Sequence, residues 1–400
     1  MNLDIYIPTL LKDDEKSLGG GGIGTLAGYL LPLVAEMGFS TSVYQCSKRA
    51  YETTYEQAKV YGVPLWPGRD LPTEKIVSHW RELARERSGK GDRIELFMAD
   101  FFSVRNENPL AIVVQNGIAW DAPINILTQK KMFQSPLGER VFRMSRQLRG
   151  LKRIENCYNR VAADLYFLNW YRSFRGIDYQ GRLWYNPNPA PPRAWDSRRE
   201  SPSKEGGGVS IIFARRFFVE KGTRLIAAVF KRLLRERPAT RITLAGDDGP
   251  ERPFFEKEFG SDKRVEILTY EMRDALDVHA RHDIAVVPSI CGEATSLSIV
   301  EAMAAGCAVV ATNLGGTITQ IIHGYNGLLC SPLEEEIYQN MLFLIDNPVE
   351  RLRLQKTGWE TAQKAFSLSS WRDRWKKIFT ETIDGKSEAE QKIKHQLRFL

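Results

Sequence analysis

An alternation of short β-rich runs with helical patterns, repeated in both halves of the chain, constrains the fold more than any other feature. In the first half, strand patterns at Leu3–Ile7, Ser40–Tyr44 and Ala111–Val114 accompany a helical pattern at Gly24–Met37. Such alternation is typical of a parallel sheet whose strands are joined by crossover helices. The first half is therefore predicted to be a doubly wound α/β domain.

The second half repeats this alternation more regularly. Strand patterns occur at Val209–Phe213, Arg241–Ala245, Val265–Leu268, Ile284–Val287 and Ala308–Ala311, and helical patterns at Thr223–Arg235 and Leu297–Ala305. Ligands of such sheets bind at the carboxyl ends of the strands. We therefore predict an α/β protein with two doubly wound Rossmann-like domains that face each other across a cleft.

Proline, glycine and charge mark the boundary between the halves. The letters NPNPAPP at 186–192 precede a charged stretch and GGG at 206–208, a composition typical of a linker. The predicted division is a first domain at 1–190, a linker at 191–208, a second domain at 209–370 and a C-terminal helical segment at 371–400. That last segment can return to the first domain, and its polar residues from 385 onward are expected to fray.

Composition and residue spacing exclude several classes of protein. With 43% hydrophobic and 26% charged residues, the chain has the composition of a globular protein rather than a disordered one. Its five cysteines form no Cys-x-x-Cys pair and its five histidines no His-x-x-x-His spacing, so neither a disulfide framework nor a metal site is expected. The chain starts without the basic segment of a signal peptide and has no run of 18 apolar residues. A cytoplasmic protein is predicted.

The net charge of +7 is concentrated between residues 130 and 160. This segment holds nine Lys and Arg residues against Glu139 and Glu155, together with apolar residues at roughly helical spacing. A basic amphipathic helix can lie on an anionic membrane or guide an anionic substrate. The same pattern also fits a solvated helix whose apolar side belongs to the core. Nucleic acid is not expected as a partner, because no zinc finger, basic zipper or RNA-binding aromatic signature is present.

Three cationic residues follow the first strand of the second half, in the sequence FARRFFVEKG. Arg215, Arg216 and Lys221 lie between a strand pattern and a helical pattern. Cations fixed there are well placed to bind a diphosphate, because arginine forks onto phosphate oxygens and lysine adds a point charge. The alternative is a loop with solvated surface charge.

Two glutamates eight residues apart occur in ICGEATSLSIVEAMAAG at 290–306. Glu293 is expected in the loop after a strand and Glu301 inside the following helix, whose first amides lie near Ser296 and Leu297. A helix N-terminus binds anions. A buried carboxylate needs hydrogen-bond donors, and the two hydroxyls of a ribose supply them. The alternative for Glu301 is a solvated helix position, which its apolar neighbours disfavour.

A glycine-rich loop, GGGG at 19–22, lies between the first strand and the first helix. Glycine lets a backbone approach a ligand closely. However, GGGGIG is not the GxGxxG dinucleotide pattern. A loop that faces a ligand and a simple tight turn therefore both stay open.

Six segments of the second half occur in the order of a known family. They are RRFFVEKG (215–222), LAGDDGP (244–250), PS (288–289), the Glu-x7-Glu pair, EAMAAGCAVVATNLGG (301–316) and NGLLCSP (326–332). Together they resemble the donor-binding domain of retaining nucleotide-sugar glycosyltransferases with the GT-B fold, specifically glycosyltransferase family 4. The first half resembles the family through GGGGIG and through VVQNGIAWD at 113–121.

The resemblance implies a role for each matching residue. Arg216 and Lys221 would hold the donor diphosphate and neutralise the leaving group, while Arg215 replaces a glycine of the family. Glu293 would contact hydroxyls of the donor sugar, and Glu301 would bind the ribose. The other residues carried over are Ser296, Leu297 and Thr295 at the donor phosphate, Gly20, Gly21 and Gly22 in a loop facing phosphate or acceptor, and Asn116 and Asp121 as acceptor-side candidates.

The resemblance implies transfer of a sugar, with retention of configuration, from a UDP- or GDP-sugar to a glycan or lipid-linked acceptor in polysaccharide or glycoconjugate biosynthesis. The domain at 209–370 would bind the donor and the domain at 1–190 the acceptor. Because no Asp-x-Asp triplet is present, dependence on Mg²⁺ or Mn²⁺ is not expected. No cofactor is expected beside the nucleotide-sugar co-substrate. A GT-B sugar epimerase or phosphorylase, and a non-catalytic basic scaffold on a membrane, stay open as alternatives. Peripheral contact with the inner face of the membrane through residues 130–160 also stays open.

Overall fold

The chain forms two compact units in the computed structural model. The first unit comprises Met1–Asn116, Met144–Asn186 and Arg372–Leu400, and the second comprises Gly117–Arg143 and Pro187–Trp371. The structure describes residues 1–19, 21–65, 73–88, 91–102, 104–117, 136–176, 179, 181–197, 208–246 and 249–397. Within these ranges each unit is built on one main sheet.

The first unit contains an eight-stranded sheet. Its strands are β1 (Asn2–Ile7), β2 (Ser40–Cys46), β3 (Tyr51–Tyr55), β4 (Ala58–Val63), β5 (Arg93–Phe97), β6 (Ala111–Gln115), β7 (Asn159–Ala162) and β8 (Arg182–Tyr185). Their order is β3-β4-β2-β1-β5-β6-β7-β8. Every neighbouring pair is parallel except β3 with β4, which form an antiparallel hairpin at the edge.

Helices cover this sheet, so its central strands β1, β5 and β6 are buried almost throughout rather than on one face only, and they include the buried Asp4 and Glu95. The helices in this part of the chain are α1 (Gly22–Glu36), α2 (Thr73–Ser88), α3 (Pro136–Glu155) and α4 (Tyr166–Arg175). The residues of α3 up to Arg143 belong to the second unit. Aromatic side chains fill the core between α2 and the sheet, where the rings of Tyr6 and Trp80 stack at 5.7 Å and Phe102 packs against Trp80. This packing fixes α2 on the sheet.

The second unit contains a six-stranded, all-parallel sheet in the order β11-β10-β9-β12-β13-β14. The strands are β9 (Ser210–Ala214), β10 (Arg241–Ala245), β11 (Val265–Leu268), β12 (Ile284–Val287), β13 (Ala308–Thr312) and β14 (Leu328–Cys330). The helices are α5 (Thr223–Glu236), α6 (Arg252–Phe259), α7 (Ala275–Ala280), α8 (Leu297–Ala304), α9 (Glu334–Asp346) and α10 (Pro348–Ala365). The predicted α/β class with two doubly wound sheets is confirmed.

The C-terminal segment belongs to the first unit. The sequence predicts a fraying polar tail from residue 385, whereas the structure has α11 (Leu368–Asp384) followed by α12 (Lys386–Leu397). Ala389 and Ile393 of α12 are buried in a small cluster with Tyr158. Arg182 pairs with Glu388 at 2.7 Å. A few apolar contacts and an ion pair therefore hold this polar helix against the rest of the first unit, and its composition alone does not reveal them.

No helix within the described ranges is both long enough and apolar enough to cross a bilayer. Helix α3, with 20 residues, has sufficient length. Its sequence, however, carries six Lys and Arg residues and two Glu residues. Charges at this density are incompatible with a span through hydrocarbon.

Candidate active site of the second unit

Two neighbouring strands of the second unit end at the same edge of the sheet and carry the candidate site. Strand β9 ends directly before Arg215, and β12 ends two residues before Ser289. Because β9 and β12 are parallel and hydrogen-bonded, their following loops leave the sheet side by side. This is the edge at which doubly wound sheets bind their ligands.

The Glu293 carboxylate lies between two cations. Its Oε1 accepts hydrogen bonds from Arg215 Nη2 at 2.6 Å, from Lys221 Nζ at 2.7 Å and from Ser289 Oγ at 2.7 Å. Burial opposes ionisation of this carboxyl, but the charges of Arg215 and Lys221 outweigh burial and lower the pKa of Glu293. The cluster of Arg215, Lys221 and Glu293 therefore carries two positive charges and one negative charge, a net charge of +1.

The arginine that enters the site is Arg215, whereas the resemblance places this role on Arg216. Arg215 is 6% exposed, and its Nη1 also donates to Ser296 Oγ at 3.2 Å. Arg216 is exposed, and its guanidinium lies 5.1 Å from the ring centroid of Phe218. Consecutive residues at the end of a strand point to opposite sides, so only one of the two can face Glu293. The structure thus brings Arg215, rather than Arg216, into contact with Glu293.

Lys221 is positioned by a tight turn that requires glycine. It ends the short 3-10 turn Val219–Lys221, and Gly222 follows with φ of +82°. A β-carbon at Gly222 would lie 1.9 Å from the backbone oxygen of Pro288. The turn is joined to the loop after β12 by a 3.0 Å hydrogen bond from the Ile290 amide to the Glu220 carbonyl. Close backbone packing therefore fixes the position of the Lys221 backbone, from which its side chain reaches Glu293.

The start of helix α8 supplies backbone donors beside these charges, but one of the two predicted amides already has a partner. The Ser296 amide donates to Gln320 Oε1 at 2.7 Å, and Gln320 Nε2 donates back to the Ser296 carbonyl at 3.0 Å. Among the described residues, no acceptor contacts the Leu297 amide. Because the first amides of a helix have no intrahelical acceptor, the Leu297 N–H can bind an anion.

Glu301 is buried within α8, as the sequence predicts, with 5% of its surface exposed. In the described part of the chain, no hydrogen-bond donor contacts its carboxylate. Burial raises the pKa of Glu301 to about 7, although the nearby Arg215 acts in the opposite direction. A buried carboxylate without donors is costly to the fold and is well suited to accept hydroxyls from a ligand.

Further residues hold the Glu293 loop in place. Gly315 has φ of +59°, and a β-carbon there would lie 2.5 Å from the Glu293 carbonyl oxygen. Thr295, a predicted donor-side residue, is 2% exposed, and its carbonyl accepts a 2.7 Å hydrogen bond from the Asn188 side chain. Sequence reasoning missed Asn188 because it lies in the proline-rich stretch at the predicted boundary. It also missed Gln320, for which no sequence signal exists.

Of the predicted residues of the first half, Gly21, Gly22 and Asn116 lie in the first unit. Gly21 precedes α1 with φ of +107° and Gly22 is the first residue of that helix, while Gly20 and Asp121 lie outside the described residues. The Asn116 side chain follows β6 and donates to the Met98 carbonyl at 2.8 Å. Its buried Oδ1 has no hydrogen-bond partner among the described residues. An orphaned acceptor of this kind can receive a hydroxyl from a ligand.

The first unit also contains a cavity of about 770 Å³. It is lined by Thr9, Leu11, Lys12, Asp13, Asp14, Gln45, Cys46, Ser47, Lys48, Arg49 and Tyr51. The wall is well defined, because the buried Gln45 side chain bonds the backbone of Leu10 and Leu11. Gly62 leaves room for the Tyr51 ring, since a β-carbon there would lie 2.1 Å from it. The Tyr51 hydroxyl is buried and has no partner among the described residues.

The five cysteines are all free thiols, and Cys291 is the one that is partly exposed. Cys291 lies close to Glu293. The pKa of its thiol is raised to about 11, mainly by burial and to a smaller extent by the negative charge of Glu293. Within the described ranges, no group of three or more His, Cys, Asp or Glu side chains could hold a metal ion. The charged groups that we assign to the candidate site are Arg215, Lys221, Glu293 and Glu301.

Part of the chain, including the candidate site, is similar to a known protein family. Residues 208–347 match the family described as Glycosyl transferases group 1. The matched range includes every charged residue of the candidate site. The gpi3 subunit of phosphatidylinositol N-acetylglucosaminyltransferase from Schizosaccharomyces pombe is 26% identical over 175 residues, which are 43% of this chain and 38% of that protein. The chain thus spans well under half the length of that curated relative.

Solved structures are similar over nearly the whole chain. Sucrose-phosphate synthase from Thermosynechococcus elongatus aligns with a TM-score of 0.74 and 14% identity, covering 96% of this chain and 99% of that chain. HepE from Anabaena, in complex with UDP-glucose, aligns with a TM-score of 0.65 and 15% identity over 96% of this chain and 100% of that chain. These similarities establish the GT-B fold, and with the family match they support a glycosyltransferase.

Proposed function

We propose that the chain is a retaining glycosyltransferase that transfers a sugar from a nucleotide-diphosphate donor to a glycan or lipid-linked acceptor. The observation that carries this proposal is the cluster of Arg215, Lys221 and Glu293 at the carboxyl edge of a parallel sheet, beside the start of α8. A second, buried carboxylate, Glu301, lies on the same helix. Cations and an amide for a diphosphate thus accompany an acceptor for ribose hydroxyls.

In the proposed reaction, the bond between C1 of the donor sugar and the diphosphate oxygen breaks. The diphosphate leaves with the bonding electron pair, an acceptor hydroxyl forms the new bond to C1 and its proton is released. Negative charge grows on the leaving diphosphate, so groups fixed around it lower the barrier. Arg215, Lys221 and the Leu297 amide are the groups that would meet this charge, and each such donor contributes about 3–4 kcal/mol in comparable sites.

Glu293 has two functions in the proposed reaction. Without donor, it neutralises part of the charge of Arg215 and Lys221, and its lowered pKa keeps it ionised. When the diphosphate binds, the two cations are shared with phosphate oxygens, and the carboxylate becomes available to hydroxyls of the donor sugar. A carboxylate held between cations in this way keeps the cations in place without leaving the site strongly positive.

Glu301 would accept hydrogen bonds from the two ribose hydroxyls. Its pKa near 7 means that both protonation states are populated at neutral pH. The ionised form accepts two hydroxyls, whereas the protonated form has less acceptor capacity. Ribose binding is therefore expected to favour the ionised carboxylate and to couple nucleotide affinity to pH.

The cavity beside Tyr51 is proposed to receive the acceptor. Its lining includes amide, hydroxyl, carboxylate and cationic groups, and an aromatic ring forms part of the wall. This mixture suits a polyhydroxylated ligand, which needs donors and acceptors together with a ring face. Because HepE is described in complex with UDP-glucose, UDP is the first nucleotide to test here. Neither metal nor cofactor is proposed.

The proposal is tested by incubating the purified chain with UDP-glucose, UDP-N-acetylglucosamine, GDP-mannose and ADP-glucose and measuring nucleoside diphosphate release. Slow hydrolysis of donors that share one base is expected, unchanged by a metal chelator. Thermal shift with UDP, GDP and ADP provides the binding measurement, because a ligand at 100-fold its Kd adds about 2.7 kcal/mol of stability. No release from any donor, combined with no shift by any nucleotide, would refute the proposal.

A further inference from the structure

Helix α3 carries four large apolar side chains in solvent. Leu137 is 73% exposed, Val141 54%, Met144 57% and Leu148 54%. Leaving apolar surface in water is unfavourable by roughly 25 cal/mol per Å². A single exposed aliphatic residue is ordinary, but four on one helix form a contiguous patch that indicates an interaction site.

These four residues share one face of the helix. Their spacing of four, three and four residues keeps them within about 60° of one another at about 100° per residue. Farther along the same helix, Leu151 is 7% exposed and Ile154 is fully buried. The C-terminal end of α3 is therefore anchored in the protein, while the described part of the chain leaves uncovered the stripe from Leu137 to Leu148, which we call the exposed stripe.

Charge around the exposed stripe is strongly positive. Residues 136–155 contain six Lys and Arg residues and two Glu residues, a net charge of +4. Arg140 and Arg149 are exposed within this segment. Cations flanking an apolar stripe match the interface of an anionic bilayer, where aliphatic side chains enter the acyl boundary and guanidinium groups remain among phosphates.

A core-facing helix and a nucleic-acid surface both fit the structure less well than a lipid-facing helix. A core-facing helix would bury Leu137, Val141 and Met144, yet more than half of each is exposed. A nucleic-acid surface would present cations and polar groups to phosphates, and an aliphatic stripe gains nothing there. Charge complementarity combined with a narrow aliphatic stripe therefore favours lipid.

We propose that the exposed stripe of α3 docks the protein on an anionic lipid surface, with Arg140 and Arg149 in the headgroup layer. This inference rests on the proposed function in one respect, because docking would bring the protein to a lipid-linked acceptor. The docking surface itself contains none of the donor-site residues. Binding is expected to need both the aliphatic stripe and the negative charge of the lipid.

The test is co-sedimentation of the full chain with vesicles of phosphatidylcholine and phosphatidylglycerol at about 3:1, and with vesicles of phosphatidylcholine alone. Binding to the anionic vesicles is expected, with weakening in about 0.5 M salt because salt screens the charges. The double variant Leu137→Ser, Met144→Ser should lower vesicle partitioning about tenfold or more, since each loses several methylene groups from the interface. Arg140→Glu with Arg149→Glu should also abolish the preference for anionic vesicles.

Val349 supplies the matched control, since it is 77% exposed on α10 of the second unit. Val349→Ser should leave vesicle partitioning unchanged. Equal binding to both vesicle types, absence of vesicle binding, or an equal loss in the Val349 variant would overturn the proposal. Binding to duplex DNA but not to vesicles would assign the surface to nucleic acid instead.

A thermal shift with UDP, measured on the same preparations, separates this inference from the proposed function. The double serine variant should retain the nucleotide shift of the wild-type protein. If the shift is present and vesicle binding is absent, the docking surface is refuted and the glycosyltransferase proposal stands. If vesicle binding is present and no nucleotide shifts stability, the proposed function fails while the docking surface stands.

Discussion

Arg215 donates a 2.6 Å hydrogen bond to the Glu293 carboxylate and thereby joins the loop after β9 to the loop after β12. Both residues belong to the part of the chain that matches the glycosyltransferase family. Because Lys221 contacts the same carboxylate oxygen, the side chains of Arg215, Lys221 and Glu293 form one charged cluster. The function of each member is therefore best tested by comparing its variant with a variant of a similar residue that lies outside the cluster.

The two adjacent arginines provide such a comparison. Arg215→Ala should lower kcat/KM for donor hydrolysis about 10²-fold or more, because it removes a cation that faces the leaving diphosphate. Arg216→Ala should change kcat/KM less than about threefold, because its guanidinium lies over Phe218. Steady-state kinetics with the best donor measures both. A larger effect at Arg216 than at Arg215 would instead support the assignment of Arg216 taken from the resemblance.

Lys221 is the second cation of the charged cluster. Lys221→Ala should also lower kcat/KM about 10²-fold or more, with most of the loss in kcat if the charge acts mainly on the transition state. Lys231 on α5 supplies the comparison, because it is exposed and pairs with Glu258 away from the site. Lys231→Ala should therefore keep wild-type kinetics. Near-normal kinetics of the Lys221 variant would remove this residue from the mechanism.

Glu301 predicts a pH dependence of nucleotide binding. Ribose hydroxyls favour the ionised carboxylate, so the Kd of UDP should fall as pH rises through about 7 and should level off above about 8. Glu301→Gln cannot ionise and should lose this part of the pH profile while keeping the part that belongs to the diphosphate. Titration calorimetry between about pH 6 and pH 8.5 gives the comparison. Identical profiles for the two proteins would exclude Glu301 from ribose binding.

The same residue predicts a pH dependence of stability. Folding raises the pKa of Glu301 from 4.5 to about 7, so the folded state holds an extra proton between these values and loses stability as pH rises through this window. Glu301→Gln avoids the loss and should be more stable than the wild type at about pH 8, by at most on the order of 3 kcal/mol. The difference should shrink at about pH 5. Denaturant unfolding at both pH values measures it, and a constant difference would contradict the assignment.

The close packing of Gly222 against the Pro288 backbone is expected to hold the turn that carries Lys221 in place. Gly222→Ala should destabilise the fold by more than the roughly 1–3 kcal/mol expected of backbone strain alone, because its β-carbon would meet Pro288. Gly38 has a similar φ of +78°, but no atom lies within 4 Å of the corresponding β-carbon. Gly38→Ala therefore reports strain without a clash. Equal losses of unfolding free energy in the two variants would show that packing at Gly222 has no role.

Much of the fold could be predicted because strand and helix patterns are local properties. The predicted strand at Val265–Leu268 matches β11 residue for residue, and the helix expected at Leu297–Ala305 is α8. The tail from residue 385 could not be predicted, because α12 is held by contacts with the distant Tyr158 and Arg182. Local polarity favoured fraying, and tertiary packing prevailed.

The candidate site was only partly accessible to sequence reasoning. Glu293, Glu301 and Lys221 lie in distinctive motifs, and their positions at the sheet edge follow from the order of strands. Which of Arg215 and Arg216 contacts Glu293 depends on the backbone conformation of the chain after β9. The local sequence Ala-Arg-Arg-Phe does not specify this conformation. Gln320 reaches Ser296 from 24 residues away, and such a contact leaves no local pattern. Similarly, the helical pattern of α3 does not reveal which of its apolar residues are buried.

Titration calorimetry of UDP, GDP and ADP into the wild-type protein and into the Arg215→Ala variant tests the central claim most directly. We predict that at least one nucleoside diphosphate binds the wild type and that Arg215→Ala weakens that binding about tenfold or more. Absence of binding by all three nucleotides, or equal affinity for the wild type and the variant, would contradict the assignment of Arg215 to a donor diphosphate site.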